Sequence, residues 1–251
     1  MALRLRFGAA ADASVRAAAR NAGSPIASGW SHVDAALGGG LRPGETLSIE
    51  GNAGAGSLAL ASEWARACSA AGEPVMVLDP LATSLPHAWV EPDEGRAPIW
   101  RLGVGVAFGT EDELWPAFDI ALRSGAFGLI VVLDAPTAPR TVGARVARLA
   151  AERGARLIVT HGHERPAPWA PTYRVRLYAG LVRWVDGPLG ARPAARQVEG
   201  NIVDRERTAE SRTSSSFARE LDARTTTDRL RPTPRAPDRR PPSGRGGRTR
   251  R

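Results

Sequence analysis

The residues best equipped for chemistry in this sequence lie in a glycine loop. Residues 49 to 65 read IEGNAGAGSLALASEWA, a short β-rich run, then Gly51, Gly54 and Gly56, then a helix-forming run. Glycines that bring backbone amides together at a helix start cradle phosphates. A working loop, G-x-x-x-x-G-K-[ST], adds a lysine that reaches the β and γ phosphates and a hydroxyl that holds magnesium. Here Ser57 stands at the lysine position and Leu58 at the hydroxyl position. Serine has neither the charge nor the reach, and leucine cannot ligate a metal. The glycines then either only turn a strand into a helix, or leave a weak hold on anions at the helix N-terminus. Both readings exclude an efficient ATPase.

Two carboxylates end β-rich runs, Asp79 in PVMVLD and Asp134 in FGLIVVLD. Beside an intact loop such an aspartate organises magnesium through water. With the loop disabled, hydrogen bonding at the strand end is the expected role of both. His161-Gly162-His163-Glu164 gathers metal-binding side chains, but no compact third and fourth ligand accompanies them, and a polar loop after a buried strand needs such residues anyway. The sequence therefore predicts no catalytic residue, no metal site and no cofactor.

The elements that must position these residues follow from periodicity. Between about residues 45 and 162, apolar runs (ETLSIEG, PVMVLD, FGLIVVLDAP, RLIVTHG) alternate with helical stretches at 57 to 71, in EDELWPAFDIALRSG and at about 141 to 153. Buried parallel strands between amphipathic helices produce this pattern. The predicted fold class is α/β with a mostly parallel central sheet. YRVRLYAGLVRWV alternates about Ala179-Gly180 and reads as a β-hairpin. Residues 81 to 98 read as a long loop or a decayed element. From about residue 190, Arg, Pro, Ser, Thr and Gly dominate and predict disorder, with a helical possibility at 214 to 224. The expected organisation is an N-terminal arm at 1 to 24, an α/β core at 25 to 189 and a disordered Arg/Pro-rich tail at 190 to 251.

Charge follows that division. Residues 201 to 251 carry 14 Arg and 7 acids, a balance of +7, while the remaining 200 residues balance at +1. The sequence contains no lysine, so all 34 basic residues are arginine and no ammonium side chain exists for catalysis. High-GC coding bias suffices to explain this at most positions. The tail either follows a nucleic-acid backbone electrostatically or is a solvated extension. One cysteine, Cys68, allows no disulfide within the chain. No apolar run approaches a membrane span, and a cytoplasmic location is expected. Most of the seven tryptophans are expected in the core or its rim; Trp169, set in PAPWAP, is the best candidate for an exposed contact, with simple packing the equal alternative.

Several segments, taken in order, carry a family resemblance. ASGWSHVDAALGGGLRPGETLSIEG, residues 27 to 51, resembles the start of the RecA core, with its serine-glycine pair, aspartate, leucine-glycine turn and Gly-Gly-Leu-x-x-Gly run into the first strand. LWPAFDIALRSGAFGLIVVLDAP resembles that family's helix and Walker B strand, placing Asp134 at the Walker B aspartate. The likeness spans roughly residues 25 to 165. It implies a RecA-like P-loop core. Leu81 stands where the family's catalytic glutamate belongs, and Thr160-His161 replaces its nucleotide-sensing glutamine.

A RecA-like core with a degenerate loop and a basic tail is similar to the ImuA family. That resemblance implies a non-catalytic adaptor in bacterial mutagenic translesion DNA synthesis during the SOS response to DNA damage, with ImuB and RecA as partners. The alternatives are a SulA-like cell-division inhibitor, whose family is shorter and lacks such a tail, and a weak nucleotide-binding switch.

Overall fold

The structure, a computed structural model, describes residues 23–82, 84, 89, 96–103, 113–185, 192–204 and 215–222. The N-terminal arm, apart from residues 23 and 24, and the chain beyond 222 lie outside the described residues. Eight strands form one sheet: β1 (Thr46–Gly51), β2 (Val75–Asp79), β3 (Ile99–Gly103), β4 (Leu129–Val132), β5 (Arg156–His161), β6 (Tyr173–Val185), β7 (Arg192–Asp204) and β8 (Ser215–Asp222). Their order is β3-β2-β4-β5-β1-β6-β7-β8. The first six in that order are parallel to their neighbours, and β7 and β8 are added antiparallel. The described helices are α1 (Ser31–Ala36), α2 (Ser57–Ala70), α3 (Leu114–Ser124) and α4 (Arg140–Arg153). None is long and apolar enough to cross a membrane.

Strand alternation sorts the apolar residues into two cores. Leu47, Ile49, Val75, Val77, Leu129, Val131 and Ile158 face α2, where Leu60, Trp64 and Cys68 pack on them. Met76, Leu78, Ile130, Val132, Leu157 and Val159 face the other way, onto Phe118 and Leu122 of α3 and Val146 of α4. Strands buried on both faces read as continuous apolar runs, and burying each such side chain contributes about 1.5–3 kcal/mol. The result is an α/β fold with a mostly parallel sheet, of the Rossmann or RecA-like kind.

Before β1, Asp34 of α1 clasps the incoming chain. Its Oδ1 accepts the Ser28 N–H at 2.7 Å and the Ser28 hydroxyl at 2.8 Å, and its Oδ2 accepts the Gly29 N–H at 2.9 Å. Gly40 then lies so close to Ile26 that a Cβ would overlap the Ile26 carbonyl. The serine-glycine pair, the aspartate and the glycine run seen in the sequence are thus one local structure.

The structure corrects three expectations. Ala179-Gly180 is no hairpin turn; β6 runs through it, with a register shift between Ala179 and Val182. A Cβ at Gly180 would come 2.8 Å from the Gln197 carbonyl oxygen, so this glycine permits close approach of β7 where a turn was expected. Disorder does not begin at residue 190: Arg192–Asp204 and Ser215–Asp222 are sheet strands, and Val198 and Ile202 are buried in the α2-side core. The helix expected within 214 to 224 is strand β8, held by its ladder to β7. The sheet also has an edge strand, β3, that the sequence reading missed. Of the loop expected at 81 to 98, the described residues belong to no helix or strand.

Candidate functional site

The glycine loop lies where β1 ends and α2 begins. The Ala55 N–H donates to the Asn52 carbonyl at 2.9 Å, and Gly56 caps α2 at φ 94°, a left-handed conformation that glycine adopts without strain. A Cβ on Gly51 would fall 2.5 Å from Ser57 Oγ and 3.1 Å from the Ala55 Cβ. Ser57 therefore folds back beneath the loop against the end of β1. Its Oγ is buried and has no hydrogen-bond partner among the described residues. Leu58 turns partly outward, 37% exposed. A magnesium nucleotide does not fit this set of groups: the lysine position holds a hydroxyl directed into the protein, and the metal position holds an aliphatic side chain.

Asp79, at the end of β2, is fully buried and engaged. Its Oδ2 accepts the Ser84 N–H at 3.0 Å and Arg101 Nη2 at 2.8 Å, and also bonds the Ser84 hydroxyl. Arg101, from β3, reaches on to the Ser84 carbonyl at 2.9 Å, and Trp89 Nε1 donates to Ser84 Oγ at 2.9 Å. A carboxylate so enclosed anchors the chain after β2. Leu81 follows it, 46% exposed, at the position the RecA resemblance assigns to a glutamate.

Asp134 lies two residues beyond β4 with φ 45°, a conformation that aspartate tolerates better than most residues. Its N–H donates to Thr160 Oγ1 at 3.0 Å, and the Ala135 N–H donates to the Thr160 carbonyl at 2.9 Å. The end of β5 is likewise tied to β1 and its loop. Ser48 Oγ lies 2.7 Å from His161 Nε2, while His161 Nδ1 lies 3.0 Å from the Gly162 carbonyl. Because that carbonyl only accepts, Nδ1 is the donor there, and in that tautomer Nε2 accepts the hydrogen bond of the Ser48 hydroxyl. The His163 N–H donates to Asn52 Oδ1 at 3.5 Å. His161 and Ser48 are buried, so this serine-histidine pair is a packing contact without access for a substrate. Among the described residues, no group of three or more His, Cys, Asp or Glu is placed to hold a metal ion.

The structure thus gathers the sequence candidates at the carboxyl ends of the parallel strands. This is where open α/β sheets hold ligands. It does not turn them toward one another as a reactive set. Trp169 takes the packing alternative. It is 5% exposed, stacked on Phe118 at 5.5 Å and edge-on to Trp115 at 6.3 Å. The aromatic cluster it completes outweighs the surface preference of the flanking prolines. Among the described residues, the exposed tryptophan is Trp100, on edge strand β3, at 56%.

One cluster escaped the sequence reading. Glu50, buried on β1, bonds Arg174 Nε at 2.8 Å and Arg176 Nε at 2.6 Å, both from β6. Its hydrogen bond to Arg176, reinforced by its charge, holds that guanidinium above the usual arginine range. The period-two spacing of Arg174 and Arg176 was visible; that β6 lies beside β1 was not. Neither a protein-family model nor a curated protein matches the chain.

Proposed function

We propose that this chain is a non-catalytic, RecA-like accessory protein of the ImuA kind, an adaptor in bacterial mutagenic translesion DNA synthesis that binds ImuB and RecA. The observation that carries the reading is the loop. It keeps the strand, the glycine turn and the helix of a phosphate-binding loop, while Ser57 is folded against Gly51 and Leu58 replaces the metal-binding hydroxyl. The partners come from the sequence resemblance alone. The exposed Leu81 and the enclosed Asp79 support the same reading, since hydrolysis needs a positioned base and a charge clamp.

The test is a pull-down of the full chain, and of a version ending after residue 222, against ImuB and RecA with and without ATP. Capture of both partners regardless of ATP is expected, and loss of ImuB in the shortened version would assign that partner to the basic tail. Capture of neither partner would overturn the adaptor reading. Capture only with ATP would favour a nucleotide-dependent switch.

A further inference from the structure

We propose that the face of β6 carrying Arg174, Arg176 and Tyr178 binds single-stranded nucleic acid, the arginines taking phosphates and Tyr178 with His163 taking a base. This site adjoins the glycine loop, since Glu50 precedes Gly51 and the His163 N–H meets Asn52, but it uses different groups and does not require the loop to hold nucleotide.

Arg174, Arg176 and Tyr178 share one face of the strand by their spacing, and all three remain open to solvent, with side chains 39% and 46% exposed for the arginines and Tyr178 42% exposed. Two like charges side by side on a sheet repel, and the arrangement needs a cause. Glu50 supplies the fixing group. It lies beneath them on β1, in register with Arg176, and each arginine meets it through Nε. Among the described residues it is the one carboxylate paired with either. An arginine held by Nε keeps its Nη donors for another oxyanion, in the fixed fork that suits phosphate. Next along β6, Tyr178 stacks on His163, ring centres 5.0 Å apart and planes 21° from parallel, extending the cationic pair into an aromatic platform. Arginines beside a stacking surface are what sequence-tolerant single-strand binders use. Glu199, exposed opposite Tyr178 on β7, repels phosphate there, so the anion-binding part of the face is confined to the two arginines. The chain's own outlying segments make poor occupants: residues 1 to 22 balance at +3 and residues 223 to 251 at +8.

The experiment is fluorescence anisotropy of a labelled oligothymidylate of about a dozen nucleotides with the full chain, over a salt series. Removing each arginine (Arg174→Gln, Arg176→Gln) is expected to weaken binding and to lower the slope of log affinity against log salt by about 0.7. Tyr178→Ala should lose about tenfold and Tyr178→Phe should keep wild-type affinity. Glu50→Gln separates geometry from charge: it makes the protein more basic, yet binding should fall because the arginines lose their anchor. Variants indistinguishable from wild type would place all binding on the Arg-rich tail and overturn the proposal. Tighter binding by Glu50→Gln, or equal displacement by a polyglutamate peptide, would overturn it as well.

Discussion

Arg101 closes over Asp79 from the neighbouring strand, its Nη2 2.8 Å from a carboxylate that has no exposure to water. β2 and β3 are parallel neighbours, and this ion pair, with Ser84 between them, fixes the chain where the two strands end.

Removing one partner strands the other. Arg101→Ala should cost about 3–5 kcal/mol in urea unfolding, because the Asp79 charge is left buried. The paired change Asp79→Leu with Arg101→Leu should recover most of that loss. Recovery would mark the pair as scaffold, whereas an equally severe double variant would point to a further role for Asp79.

Gly51 and Ser57 should couple. Gly51→Ala forces a methyl against Ser57 Oγ and should destabilise by about 1–3 kcal/mol. Ser57→Ala removes a buried hydroxyl without a hydrogen-bond partner and should be neutral or stabilising on its own. The double variant should be more stable than the sum of the single effects predicts; a double-mutant cycle from thermal melts measures the difference.

Shortening the chain separates the sheet from the basic tail. A version ending after residue 222 should keep its melting temperature. One ending after residue 190 loses β7 and β8, and with Val198 and Ile202 at least about 3 kcal/mol of apolar burial. It should melt well below the full chain or aggregate. Equal melting temperatures for the two versions would refute the placement of β7 in the core.

Cys68 should titrate with folding. Burial pushes its thiol up to about 12, against 9.0 when free, with Arg156 opposing and Glu73 adding to the shift. Because the folded state holds this proton more tightly, its contribution to stability is complete below pH 9 and declines as pH rises from there toward about 12. The slope is at most about 1.4 kcal/mol per pH unit. At pH 8 a thiol reagent should react with the native protein no faster than the protein opens, and at once in denaturant. Rapid reaction without denaturant would contradict the burial.

The parallel core was legible because its signal is local. LIVVL and RLIV announce strands buried on both faces, and the glycine loop announces the turn from β1 to α2. What escaped depends on distant neighbours. Val198 and Ile202 sit among arginines and prolines, and only the partner strand β6 tells that they are core. Asp186-Gly187, a stronger hairpin signal than Ala179-Gly180, lies in the stretch that joins β6 to β7, outside the described residues. Nothing in the sequence sets Glu50 apart from an ordinary polar position in a strand. Its two arginines are more than a hundred residues away in sequence.

In the core, the all-arginine alphabet of this chain is more than habit. Arg156 is fully buried at the start of β5 and reaches in three directions: Nη1 to Glu73 Oε2 at 2.6 Å, Nε to the Leu41 carbonyl at 2.9 Å, and Nη2 to the Ser24 carbonyl at 3.1 Å. Glu73 in turn occupies the space that any side chain on Gly128 would need. A lysine offers a single compact charge at the end of a flexible stem and cannot span three diverging acceptors. Rewriting the surface arginines as lysines would leave the fold standing. Rewriting this one would detach the chain that precedes β1 from the sheet it enters, so composition drift is arrested here by geometry.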